Sequence, residues 1–153
     1  ANCMRILREA LLFPDKNKES NPGCALEFLL NHQSRKSLIL LASDFLCGEF
    51  EQSLKVSSSK NDIIAIQLVD PAEIELPRVG KVRLTEPETG KCQTIQTNSE
   101  NIRQNYSKNR DLWQTNLNRM FESNGVDKIT LSTENEPNVA LSLRKFFKKR
   151  KNY

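Results

Sequence analysis

The chain has 153 residues, of which 37% are hydrophobic and 27% charged, with a formal net charge of +4. Such a length fits one domain that buries about two-thirds of its unfolded surface, and the composition excludes a disordered or collagenous chain. No apolar run approaches the roughly 20 residues needed to cross a bilayer.

The sequence opens Ala1-Asn2-Cys3-Met4, with no signal-peptide pattern, and enters a helical pattern at once. It therefore reads as a piece of a longer chain. Residues Cys3–Phe13 predict a helix with Met4, Leu7 and Leu11 on one face, stopped by Pro14. Ser20-Asn21-Pro22 predicts the next helix start: Ser20 or Asn21 caps it and Pro22 suits its first turn. That helix, Pro22–His32, carries Ala25, Leu26, Leu29 and Leu30 as its apolar stripe.

Ser37–Ser43 is a short apolar run without alternation, which predicts a strand buried on both faces at the centre of a parallel sheet. It delivers Asp44 at its carboxyl end. Phe50–Ser57 predicts a short helix with Phe50, Leu54 and Val56 inward, followed by loop. Asp62–Val69 predicts a second buried strand, ending in Asp70-Pro71, and Ala72–Pro77 an irregular excursion. Val79–Thr85 and Cys92–Thr97 flank Glu86-Pro87-Glu88-Thr89-Gly90, which predicts a hairpin with glycine in its turn. Asn98–Asn124 predicts the longest helix, begun by Ser99 and ended by Gly125. Lys128–Ser132 predicts a third strand. Glu136–Lys149 predicts a last helix with Val139, Ala140, Leu143, Phe146 and Phe147 inward.

Strands alternating with helices predict an α/β fold: one domain over 1–153, with a parallel sheet, right-handed crossovers and helices on both faces. Three parallel strands are fewer than the five or six usual for a doubly wound sheet. The four cysteines, Cys3, Cys24, Cys47 and Cys92, have no C-x-x-C spacing, and His32 is the only histidine, so zinc has no support. The pattern predicts reduced thiols in a cytoplasmic protein, with Cys24 and Cys47 packed as small hydrophobes.

Ser43-Asp44-Phe45, Asp70-Pro71 with Glu73, Leu76-Pro77 and Gly80, and then Glu86-Pro87-Glu88-Thr89-Gly90 resemble the "domain of unknown function 58" family. Tyr106, Leu131-Ser132-Thr133 and the final basic helix extend the resemblance along nearly the whole chain. It implies a Rossmann-like, von Willebrand factor A-type domain with an inserted β-hairpin. It also implies an earlier strand carrying Asp-x-Ser-x-Ser, which this sequence lacks, so the chain resembles the carboxy-terminal two-thirds of that domain. Family members typically accompany MoxR-type AAA ATPases, and the parent proteins often carry membrane segments. The resemblance therefore implies a non-catalytic adaptor with such an ATPase as protein partner.

By the same resemblance, Ser20 and Asp44 fall at two of the three loops that hold magnesium or manganese in the von Willebrand A-like fold. Hydroxyl and carboxylate oxygens suit those hard cations, but the Asp-x-Ser-x-Ser loop is missing. The plainer reading makes Ser20 a helix cap and Asp44 the cap of the turn after its strand. Asp70, Glu73, Glu86 and Glu88 form an acidic set that reads as a partner-binding surface, because loops at strand ends carry function in open α/β sheets. General acid/base work is the weaker alternative, since no His, Cys or Lys is placed beside them. A metal-dependent hydrolase using Asp44 is the enzymatic alternative to the adaptor. The tail from Arg144 to Lys151 is basic; it reads as a cationic last turn favourable at a helix end rather than a nucleic-acid or anionic-membrane contact.

Overall fold

The computed structural model describes residues 20–85, 91–134 and 136–150, together with 4, 5, 8 and 12. The expected first helix, Cys3–Phe13, lies for the most part outside the described residues, as does the hairpin turn with Glu86 and Glu88.

Helix α1, Pro22–His32, starts where its cap predicts: Asn21, rather than Ser20, supplies the side chain, its Oδ1 accepting the Cys24 N–H at 3.1 Å. Leu26 is buried, Leu29 and Leu30 are half-buried, and Ala25 and Cys24 face solvent, so only part of the expected stripe reaches the core. Strand β1, Leu38–Ser43, leads into helix α2, Glu51–Lys60, which runs three residues past its expected end. Leu54 of α2 is buried, whereas Val56 is exposed, contrary to expectation. Strand β2 spans Asp62–Val69 and is followed by a 3-10 turn at Pro71–Glu73.

Strands β3, Lys81–Thr85, and β4, Cys92–Gln96, pair antiparallel as a separate two-stranded sheet. Thr97 closes its base: its Oγ1 accepts the Val79 N–H at 3.1 Å and donates to the Gly80 carbonyl at 2.8 Å. Helix α3, Glu100–Ser123, follows and ends at Gly125, whose φ of 64° is the left-handed conformation that a helix-terminating glycine supplies at low cost. Strand β5, Asp127–Ser132, and helix α4, Glu136–Arg150, complete the described chain.

The main sheet is parallel, in the order β1-β2-β5, with Leu40 opposite Ile64 and Ile66 opposite Ile129. Two apolar cores lie on its two faces. On one face Ile39, Ile63 and Ala65 pack with Leu26 of α1, Leu54 of α2 and Leu117 and Phe121 of α3. On the other, Ile64, Ile129 and Leu131 pack with Val139, Leu143, Phe146 and Phe147 of α4. The molecule is thus a mixed α/β structure with a parallel three-stranded sheet flanked by helices. The strand expected at the centre differs in place: among the described residues β1 stands at one edge of this sheet and β2 holds its centre.

Candidate functional site

The carboxyl end of β1 turns sharply through its own side chains. Asp44 is exposed, and its Oδ1 accepts the Leu46 N–H at 3.0 Å and the Ser43 hydroxyl at 3.4 Å. Ser43 Oγ in turn accepts the Phe45 N–H at 3.0 Å. Phe45 has a φ of 59°, a left-handed conformation that side chains with a Cβ rarely adopt. Its ring is 1% exposed, stacked 5.8 Å from Phe50 and edge-on 5.2 Å from Phe121. Burial of that ring holds the strained residue, and with it the direction in which Asp44 leaves the strand.

Around this turn stand the other strand ends. Asp70 is exposed directly after β2, and the Thr133 N–H donates to the Val69 carbonyl at 3.1 Å, tying the ends of β2 and β5. Ser20 is exposed just before the Asn21 cap. A Cβ on Gly23 would lie 3.0 Å from Asn21 Oδ1 and 3.5 Å from Phe50 Cβ, so the first turn of α1 rests against the start of α2. A divalent ion such as magnesium asks for near-octahedral oxygen ligation. Here Asp44 already serves its own turn, and no group of three or more His, Cys, Asp or Glu residues that could hold a metal exists among the described residues. Ser20 and Asp44 are both exposed, one before the start of α1 and the other after the end of β1.

Of the acidic set, Glu73 is tied into the fold through its main chain. Glu73 is half-buried, and its main-chain carbonyl accepts the Tyr106 hydroxyl at 2.7 Å and the Arg110 guanidinium. Thus Glu73 docks the excursion after β2 onto α3 through its backbone. Beyond it, Leu76-Pro77 lines an open groove of about 550 Å³, where Arg78 and Arg103 both bind the Glu100 carboxylate, Arg78 at 2.9 Å. Glu86 and Glu88 lie outside the described residues.

Sequence reasoning missed a polar network inside the first core. Gln67 is 1% exposed and exchanges amide hydrogen bonds with Gln114 at 3.0 and 3.2 Å. Lys128 Nζ donates to Gln67 Oε1 at 3.1 Å and to Asn118 Oδ1 at 2.6 Å. Desolvation pushes the Lys128 pKa down, partly opposed by Glu122. Its only sequence signals are the lone polar Gln67 within an apolar strand and Gln114 and Asn118 four apart on α3. Elsewhere, Arg150 binds Asp62 and, at 2.7 Å, Asp127, so the strongest cation of the basic tail clamps the starts of β2 and β5. The exposed Cys92 thiol is held below its ordinary pKa by hydrogen bonds from the Thr85 and Arg83 side chains.

The largest departure from expectation is at β1 itself. Leu38 and Leu40 are each 52% exposed and Ala42 is exposed, while Ile39 points into the core. Helix α4 covers β2 and β5 on that face and leaves these β1 side chains open. The Asp62 N–H donates to the Ser37 carbonyl at 2.9 Å, which fixes the odd-numbered residues of β1 as those facing β2. Main-chain direction alternates along a strand, so Leu38, Leu40 and Ala42 aim their N–H and C=O groups at the side of β1 that pairs with no strand among the described residues. By contrast, β5 carries Asp127 and Lys128 at its start, charges of the kind that blunt an edge.

Residues 1–115 match the family model described as "Protein of unknown function DUF58". An uncharacterized protein of Mycobacterium avium is 26% identical over 113 residues, which cover 73% of this chain and 66% of that protein. An uncharacterized protein of Mycobacterium tuberculosis is 23% identical over 113 residues, covering 73% of this chain but 35% of that protein. The match therefore spans just under two-thirds of the first relative and about a third of the second. No solved structure matches the chain.

Proposed function

We propose, from the premise that this chain belongs to the DUF58 family of proteins of unknown function, that it is a non-catalytic interaction module whose docking surface is the free edge of β1. The observation that carries this reading is the strand itself: exposed Leu38 and Leu40 on a strand whose outer side pairs with none among the described residues, ending on exposed Asp44. An unpaired apolar edge is a template for an added strand, in which main-chain bonds give affinity and alternate side chains give specificity. The von Willebrand A-type fold and a MoxR-type AAA ATPase as partner belong to this same proposal and rest on the family resemblance. An enzymatic reading draws less support. Asp44 caps its own turn, His32 bonds the Phe28 carbonyl at 2.8 Å, and Lys128 is held among amides.

Titration of the purified chain with the MoxR-type ATPase of its source organism tests the reading. Binding should weaken roughly tenfold or more in Leu40→Lys, which puts a charge on the edge, and less in Asp44→Ala. Equal binding by wild type and Leu40→Lys contradicts the edge as docking surface. No binding by either removes the ATPase as partner.

A further inference from the structure

We infer that the end of the molecule where the parallel strands begin is a contact surface for an anionic lipid membrane, built from Arg35, Lys36, Lys60, Lys148 and Lys149. In the sequence these cations lie in three separate stretches, and the fold gathers them. The Ser37 N–H donates to Asn61 Oδ1 at 3.1 Å, and the Asp62 N–H donates to the Ser37 carbonyl at 2.9 Å. Lys36 and Lys60 therefore adjoin residues bonded to each other, at the starts of β1 and β2. Arg150 binds Asp62 and, at 2.7 Å, Asp127, which brings the last turn of α4 to the starts of β2 and β5. All the cations of the surface are exposed.

The acids at this end are already engaged. Asp62 and Asp127 share Arg150, and Glu122 lies close enough to Lys128 to oppose the fall of its pKa. Among the described residues no ion pair holds Arg35, Lys36, Lys60, Lys148 or Lys149. A cation in the last turn of a helix is favourable by itself, which accounts for Lys60, Lys148 and Lys149 one at a time. It does not account for Arg35 and Lys36, which lie on the connection between α1 and β1. Nor does it account for the polarity of the molecule: exposed Asp44, Asp70 and Glu134 stand at the opposite end, after the strands. A negatively charged plane attracts the basic end and turns the acidic end away.

The kind of cation selects the partner. Lysines predominate, and a lysine is a hydrated point charge suited to a diffuse anionic surface, whereas nucleic-acid sites favour arginine forks and stacking rings. Phe146 and Phe147, the rings beside Lys148, pack against the sheet instead of being offered to a base.

Co-sedimentation of the full chain with vesicles tests this, using phosphatidylcholine alone and phosphatidylcholine mixed with phosphatidylglycerol. Binding should occur only with the mixed, anionic vesicles and should fall as salt is added, because screening shortens the reach of surface charge. Lys36→Gln and Lys148→Gln should each weaken it roughly fivefold, the effect of one cation near such a surface. Lys108→Gln removes the same charge from an exposed site in the first half of α3, away from this end, and should leave binding unchanged. Because these lysines are exposed, the variants should keep the wild-type circular dichroism. No binding to anionic vesicles at low salt overturns the inference, as does binding indifferent to Lys36→Gln and Lys148→Gln. An equal loss in Lys108→Gln also overturns it, since that reports net charge and not this surface. Tighter binding to a duplex oligonucleotide than to vesicles at the same salt assigns the surface to nucleic acid instead. The reading of the β1 edge is independent of these results, because the ATPase titration contains no lipid.

Discussion

Phe45 sets two opposed energies at one residue. Its left-handed backbone costs on the order of 1 kcal/mol, while its ring is among the most buried side chains of the core. Removing the ring should cost about 3–5 kcal/mol. At this position the usual order of small residues reverses: Phe45→Gly should be more stable than Phe45→Ala by about 1 kcal/mol, because only glycine takes a φ of 59° without strain. Urea unfolding of the two variants measures it, and the opposite order would show that the turn relaxes when the ring is lost. Ser57 is the converse case, a fully buried hydroxyl without a hydrogen-bond partner among the described residues. Ser57→Ala should therefore stabilise the fold, by about 1 kcal/mol. Lys128 links stability to pH. Its folded-state pKa lies below the ordinary lysine value, so between the two the unfolded chain holds the extra proton. Stability should rise as pH climbs through that alkaline interval, and the cost of the buried charge is fully present at neutral pH. Lys128→Met should abolish the alkaline rise, which unfolding at two pH values reads directly.

At the scale of elements, two tethers decide how the excursions and ends of the sheet are held. The Tyr106 hydroxyl and Arg110 fasten the turn after β2 to α3 through the Glu73 carbonyl. Tyr106→Phe should cost about 1 kcal/mol and speed proteolysis between β2 and β3, whereas Glu73→Gln should do neither, since the tether uses the main chain. Arg150 joins α4 to the starts of β2 and β5, but its partners are about half exposed. Solvent screening limits Arg150→Ala to roughly 1 kcal/mol, and the loss should shrink as salt is added. These elements also show what a sequence reveals. Helix α1 and strand β2 were legible to the residue because Asn21-Pro22 is a start signal and Asp62–Val69 is apolar but for Asp62 and Gln67. The position of β1 was not. An equally apolar run says that a strand wants neighbours and cover, not whether the chain supplies them. The Glu73 tether was not legible for a related reason: it is made by the main-chain carbonyl, which no side-chain letter announces. The Gln67 network escaped because its members come from β2, α3 and β5, and no local pattern links them.

At the scale of the molecule, among the described residues one face of the sheet packs against α1, α2 and α3 and the other against α4. The asymmetry leaves Leu38, Leu40 and the end of β2 at Leu68 as exposed apolar side chains on one side. An edge like this is hazardous unless it is covered or paired, and the role proposed for this one is to accept a strand. Residue-resolved amide exchange of the dilute chain and of the assembled chain tests that claim most directly. In the dilute chain, the Ile39 and Leu41 amides, which face β2, should be protected, and those of Leu38, Leu40 and Ala42 should exchange fast. On assembly with the ATPase, the latter three should become protected together. If they exchange at the same rate free and assembled, or are already protected in the dilute chain, the free edge of β1 is not the surface through which this protein binds.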